Sequence, residues 1–156
     1  MANPTPYRTL PAERRVALVT HIMKSSREAR ALYIQRLAAK SGFRPVTLQT
    51  WPVDKLAKEI VRMKAETPSD ELDLLHTLYV DLEPAIQITY LDAAGVPHTN
   101  GNMGDELAPP YADADAVVKG AAAVKAAHGE DGLRYLRTLA RYSREGWPGI
   151  EDAVSD

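Results

Sequence analysis

"LAAKSGFRPVTLQTWPVDKLAKEIVRMKAE", residues 37–66, decides the fold class. Its second half is the clearest amphipathic helix in the chain. Val53, Leu56, Ala57, Ile60, Val61 and Met63 make one apolar face, while Lys55, Lys58 and Arg62 recur at spacings of 3 and 4 on the other. Its first half reads as the end of a preceding helix, then Gly42 in the left-handed position that follows a helix end, then a short helical segment opened by Pro45. Two helices meeting at a tight corner, with no alternating strand pattern between them, set the class as all-α.

Working outward, the same period continues. Val16, Val19, Ile22 and Met23 mark a helix from Ala12 to about Lys24. "SSRE" at 25–28 reads as a capping box with Ser25 as cap, opening a second helix to Lys40. One kinked helix over both is the alternative. Downstream, Ser69 is the expected cap of a helix carrying Asp70 and Glu71 near its positive end, and Pro84 restarts a helix that ends at Gly95. Residues 95–112, with three glycines, three prolines and an Asn100-Gly101 step, form a long irregular loop. Asp113 or Asp115 opens an alanine-rich helix that Gly129 stops, and a last helix runs to Gly146. "AIQITYL" is β-leaning and has no partner. The expected architecture is six to seven short helices in one compact bundle-like domain. It comprises an N-terminal tail (1–11), a basic helical half (12–67), an acidic helical half (68–146) and a C-terminal tail (147–156).

That division follows the charge. The chain of 156 residues has a net charge of −2, yet residues 1–67 hold 13 Lys/Arg against 5 Asp/Glu, and residues 68–156 hold 6 against 16. A basic half either meets an anionic partner or is neutralised by its own acidic half. With no cysteine, disulfides, thiolate zinc sites and cysteine nucleophiles are excluded. No apolar run approaches the roughly 20 residues that span a bilayer. "RRVALVTHIM" is interrupted by Thr20 and His21 and lacks a small-residue cleavage site, so no signal peptide is expected. A cytoplasmic protein without membrane contact is the simplest expectation.

Residues 34–53 resemble a helix-turn-helix DNA-binding motif. Leu37 and Ala38 stand where the first helix presents a branched and then a small residue, Gly42 sits at the turn, and Leu48 and Trp51 face back to the core. The resemblance implies that Arg44, Val46, Gln49 and Thr50 face outward toward a major groove, where Gln and Arg pair with base edges. Gln35, Lys40, Lys55, Lys58 and Arg62 would then lie near phosphates of double-stranded DNA. Arg44 lacks a capping side chain, Ser41 is polar where an apolar or small residue is usual, and Pro52 limits the second helix to about two turns. The alternative is a packed corner in which 42–50 is an extended connector, Thr50 caps the next helix, and Phe43, Leu48 and Trp51 are core anchors. In that case the partner is another protein.

Arg134, Arg137, Arg141 and Arg144, at spacings of 3, 4 and 3, form a candidate anion- or partner-binding stripe, or pair with acids of their own half. Asp73 and His76 make an acid-x-x-His pair, but the residues three before His21, His98 and His128 are Leu18, Gly95 and Lys125, so the second such pair of a bundle metal site is missing. "NGNMGDE" at 100–106 lacks the acidic density of a calcium loop. No phosphate-binding loop, nucleophile elbow or dinucleotide fingerprint occurs. The expectation is a non-enzymatic binding protein with no catalytic residues, no metal and no cofactor. The stretch "YLDAAGVPH…PPYADADAV…HGEDGLRYLRTLARYSREGWPG" resembles small uncharacterised bacterial proteins, which implies a soluble bacterial domain and brings no activity with it.

Overall fold

The structure, a computed structural model, describes residues 4–155. It is all-α: eight helices and, among the described residues, no strand. These are α1 (Ala12–Ser25), α2 (Arg27–Ser41), α3 (Pro45–Leu48), α4 (Val53–Arg62), α5 (Pro68–His76), α6 (Pro84–Ala94), α7 (Ala114–Tyr142) and α8 (Ile150–Val154). Short 3₁₀ turns lie at Tyr7–Thr9 and Arg144–Gly146, and a π-helical turn at Thr77–Leu82. Eight elements stand where six to seven were expected. The expected short segment opened by Pro45 is a helix of its own, Ile150–Val154 is an additional one, and the expected stop at Gly129 (φ 56°, ψ −128°) breaks Ala114–Tyr142 into two helical stretches across a kink. No described helix is long and apolar enough to cross a membrane.

Two compact units divide the chain, one ending at Thr77 and one beginning at Leu78. The charge boundary at Thr67 does not coincide with this division, because α5 packs against α1 and against the Tyr7–Thr9 turn. In the first unit α1 lies against α2 and α4; Leu18 and Val19 of α1 are buried, and on α4 Leu56, Ala57 and Ile60 are fully buried. In the second unit α6 packs along α7, and α7 also carries α8.

Local chemistry explains the ends. Ser26, not Ser25, caps α2 by accepting from the Ala29 N–H at 3.1 Å, because the Ser25 hydroxyl is committed to the His21 carbonyl at 2.8 Å. The extended backbone of Ser26 (φ −144°) separates α1 from α2 as two helices. At α5 the cap is Thr67 rather than Ser69. Thr67 and Asp70 form a reciprocal capping box at 3.1 and 2.9 Å, and Pro68 occupies the first helical position. Asp113 caps α7. Within loop 95–112, Asn100 and Gly101 both have positive φ, and the Thr99 and Asn102 backbones pair across them. Gln87 of α6 holds this turn by donating to the Gly101 carbonyl at 2.5 Å.

Both terminal segments are anchored by buried side chains, the C-terminal one through Trp147 among others. Tyr7 and Leu10 are buried, as are Trp147 and Ile150. Both segments lack helical periodicity because each contributes single large side chains to a core rather than a face. Residues 1–3 of the N-terminal segment and Asp156 of the C-terminal one lie outside the described residues.

Candidate functional site

The α2–α3–α4 corner is built from the end of α2 upward. Gly42 (φ 83°, ψ −5°) closes α2 with its N–H on the Ala38 carbonyl. The Phe43 N–H then bonds the Ser41 hydroxyl at 3.2 Å, which gives the polar Ser41 its role. Pro45 opens α3, a helix of four residues whose single buried side chain is Leu48. Pro52 forces extended backbone before α4 and stands at its N-cap; the Thr50 hydroxyl donates to the Thr47 carbonyl and does not cap α4.

At roughly 1.5 Å per residue, four residues make a rod of about 6 Å, against a major groove about 12 Å wide. Arg44 precedes this turn, while Gln49 and Thr50 follow its last residue. All three are exposed, but they flank a single turn rather than line one face of a reading helix. Residues 42–50 are not an extended connector either.

Phe43 is not a core anchor. It is 49% exposed, and Val46 is 64% exposed. The Phe43 ring meets the half-buried Trp51 edge-to-face, with centroids 5.3 Å apart and planes at 67°. The Lys55 ammonium sits 4.1 Å from the Trp51 ring centre, and Arg30 of α2 donates to the Trp51 carbonyl at 3.3 Å. Lys55, Lys58 and Arg62 are exposed on α4, away from its apolar face. Arg62 is bound to Glu59 at 2.6 Å, a contact that holds the Glu59 carboxyl below its usual range and raises Arg62. Lys40, Arg44 and Lys58 have no carboxylate partner among the described residues. The corner therefore carries exposed cations in the same stretch as the exposed Phe43 and the half-buried Trp51 on which it rests.

The arginine stripe is dispersed. Arg134 is largely buried and bonded to Asp131 at 2.6 Å. Arg144 lies past the end of α7, in the 3₁₀ turn, and pairs with Glu151 at 3.1 Å. Arg137 and Arg141 are exposed, Arg141 beside the Tyr142 ring at 5.7 Å. The second unit's acids thus engage two of the four from nearby in sequence.

A third constellation carries no periodic sequence signature. Three carboxylates of the first unit, Glu66, Asp70 and Glu71, are buried. Glu66 accepts from the Tyr7 hydroxyl at 2.5 Å and from Arg8 at 3.3 Å; Glu71 accepts from the Thr5 hydroxyl at 2.5 Å and lies 3.4 Å from Arg8. Asp70 pairs with Arg36 of α2 at 2.6 Å while serving the capping box. Burial, and then the bond to Glu66, push the Tyr7 phenol well above its ordinary pKa; burial and the charges of Asp70 and Glu66 do the same to Tyr33. The carboxylates are occupied by hydroxyl and guanidinium donors, and the cluster clasps residues 5–8 onto α5. Its chemistry is that of a buried structural network. Partners some 60 residues apart leave no periodic trace; the signal that existed was an aromatic and an arginine in a proline-rich segment.

Asp73 and His76 are both exposed on α5, and among the described residues no three His, Asp or Glu side chains gather so as to hold a metal ion. His98 binds Asp92 at 2.6 Å through Nε2 and accepts the Gly101 N–H at Nδ1, which serves the loop turn. No known protein family, curated protein or solved structure matches the chain.

Proposed function

We propose that this chain is a cytoplasmic, non-enzymatic binding protein whose α2–α3–α4 corner contacts nucleic acid. One observation carries the proposal: Lys40, Arg44 and Lys58, exposed and without carboxylate partners, lie in the same corner as the exposed Phe43, whose ring rests on the half-buried Trp51. The first unit as a whole carries 13 Lys/Arg against 8 Asp/Glu, and three of those acids are buried in the Tyr7–Arg8 clasp or against Arg36. Phosphate neutralisation by Arg44, Lys55 and Lys58, rather than insertion of α3 into a groove, supplies the affinity.

Duplex binding titrated against salt tests this. With three or four phosphates neutralised, the logarithm of affinity falls against the logarithm of salt with a slope of about −3. Lys58→Ala weakens all duplexes alike and reduces that slope by about 1. If Gln49 reads a base, Gln49→Ala relaxes the sequence preference. Binding at about 50 mM salt no stronger than that of an acidic control protein, for duplex and single strand alike, removes the nucleic-acid reading.

A second reading, a protein-interaction module, is favoured by the exposure of Val46 and Phe43 within four residues. It requires an association that Val46→Asp abolishes and that salt leaves nearly unchanged.

A further inference from the structure

We propose that the ligand of the corner is a single-stranded nucleic acid whose bases stack on Phe43, with its phosphates held by Arg44, Lys55 and Lys58; this rests on the nucleic-acid reading above. Three features of the corner separate a strand from a duplex.

First, a duplex is read by an element that enters its groove, and α3 is one helical turn. Second, a duplex keeps its base faces stacked inside and presents phosphates and groove edges. An exposed phenyl ring gains little against such a surface. A single strand offers the faces themselves, and stacking on an aromatic side chain is tolerant of base identity. Third, the Phe43 ring is held ready. Gly42 sets the backbone direction after α2, the Phe43 N–H is bonded to Ser41, and the ring rests on Trp51. Trp51 is in turn held by the Lys55 ammonium near its ring and by Arg30 at its carbonyl. A ring ordered before binding loses little conformational freedom on contact. Arg44 adjoins Phe43 in the chain and the Lys55 ammonium lies 4.1 Å from the Trp51 ring centre, so cations for a strand backbone stand next to the aromatic pair. The exposed ring, not charge, decides against a purely acidic peptide as the ligand, since such a peptide supplies anions without planar faces for Phe43.

The test is fluorescence anisotropy of the full chain with a labelled oligothymidylate, a labelled short duplex and labelled polyglutamate, at about 50 mM salt. The strand is expected to bind more tightly than the duplex, and both more tightly than polyglutamate. Loss of one stacked base lowers strand affinity about five- to hundredfold in Phe43→Ala, with duplex affinity unchanged. Phe43→Leu keeps apolar bulk without the ring and is expected to behave like Phe43→Ala, whereas Phe43→Tyr restores strand binding. Because Phe43 is half exposed, the melting temperature of each variant serves as the folding control. If Phe43→Leu binds the strand as the native chain does, the ring is not a stacking platform and the inference is overturned. Equal affinity for strand and duplex, insensitive to Phe43, also overturns it and leaves the nucleic-acid reading intact. Absence of binding to both defeats that reading itself.

Discussion

In the first unit Tyr7 is buried against a carboxylate; in the second, Tyr79, Tyr90 and Tyr135 are buried among rings. Tyr90 touches Tyr135 and Trp147 edge-to-face at 5.7 and 5.0 Å, Tyr135 touches Tyr79 at 5.0 Å, and Tyr111 closes on Trp147 at 5.2 Å. Backbone is shaped to this packing: a Cβ on Gly146 would stand 2.5 Å from the Tyr111 ring, and one on Gly120 would stand 2.9 Å from Tyr90. The Tyr90 hydroxyl is buried with no hydrogen-bond partner among the described residues. The clasp of the first unit obtains order from directional, charge-assisted bonds between segments distant in sequence. The aromatic core of the second obtains it from area and shape, and tolerates a polar atom left without a partner.

The largest effect expected of that difference is at the ring cluster. Trp147→Ala removes the side chain that both Tyr90 and Tyr111 rest on and lowers stability by about 3–5 kcal/mol, read by denaturant unfolding. A loss under about 1 kcal/mol would show that the cluster relaxes around the void and is not a close-packed core.

Alkali acts on both units. The phenols of Tyr7, Tyr33, Tyr90 and Tyr135 are all raised, chiefly by burial. A raised folded pKa contributes stability that is fully present below the unfolded value of about 10 and is lost as pH rises past it. Above about pH 10 each such tyrosine contributes a decline of about 1.4 kcal/mol per pH unit, and Tyr7→Phe makes the decline shallower. Unfolding midpoints measured across that range test this; a flat profile contradicts the burial of all four.

Two conservative substitutions then separate the units directly. Tyr7→Phe deprives Glu66 of a short bond from a neutral donor, and the expected loss is about 1.5–3 kcal/mol. Tyr90→Phe removes a hydroxyl with no partner, so stability is unchanged or rises by up to about 1 kcal/mol. Equal losses in the two variants would erase the distinction between clasp and ring cluster. The smallest effect is at the surface. Arg62→Ala breaks an exposed pair within one turn of α4 and leaves the unfolding midpoint where it was, in contrast to any change at the buried Arg8–Glu66 pair.

Legibility in the sequence followed the range of the interaction. The apolar face of α4, the stop at Gly42 and the stop at Gly95 were readable, and the start of α7 was narrowed to Asp113 or Asp115, because each depends on residues within about one helical turn. Caps were misplaced by one or two residues where neighbouring hydroxyls competed, as Ser25 with Ser26 and Ser69 with Thr67. Of the candidate site, the exposure of Arg44 and Lys58 followed from their register, whereas the exposure of Phe43 did not, since an aromatic beside a helix end is ordinarily taken into the core. The clasp of Thr5, Tyr7 and Arg8 left no periodic trace, only an aromatic and an arginine in a proline-rich segment.

By itself the sequence determined that the chain is helical and where most helices begin and end, because 3.6-residue periodicity and capping are local. It also determined that the cations concentrate before Thr67 and the acids after it. Only the tertiary structure decided that residues 5–10 belong to a core and that α5 joins the first unit. It alone decided that α3 is one turn, and that Phe43 faces solvent on Trp51. These depend on which distant side chains satisfy a buried charge or fill a volume, and no spacing along the chain records that choice.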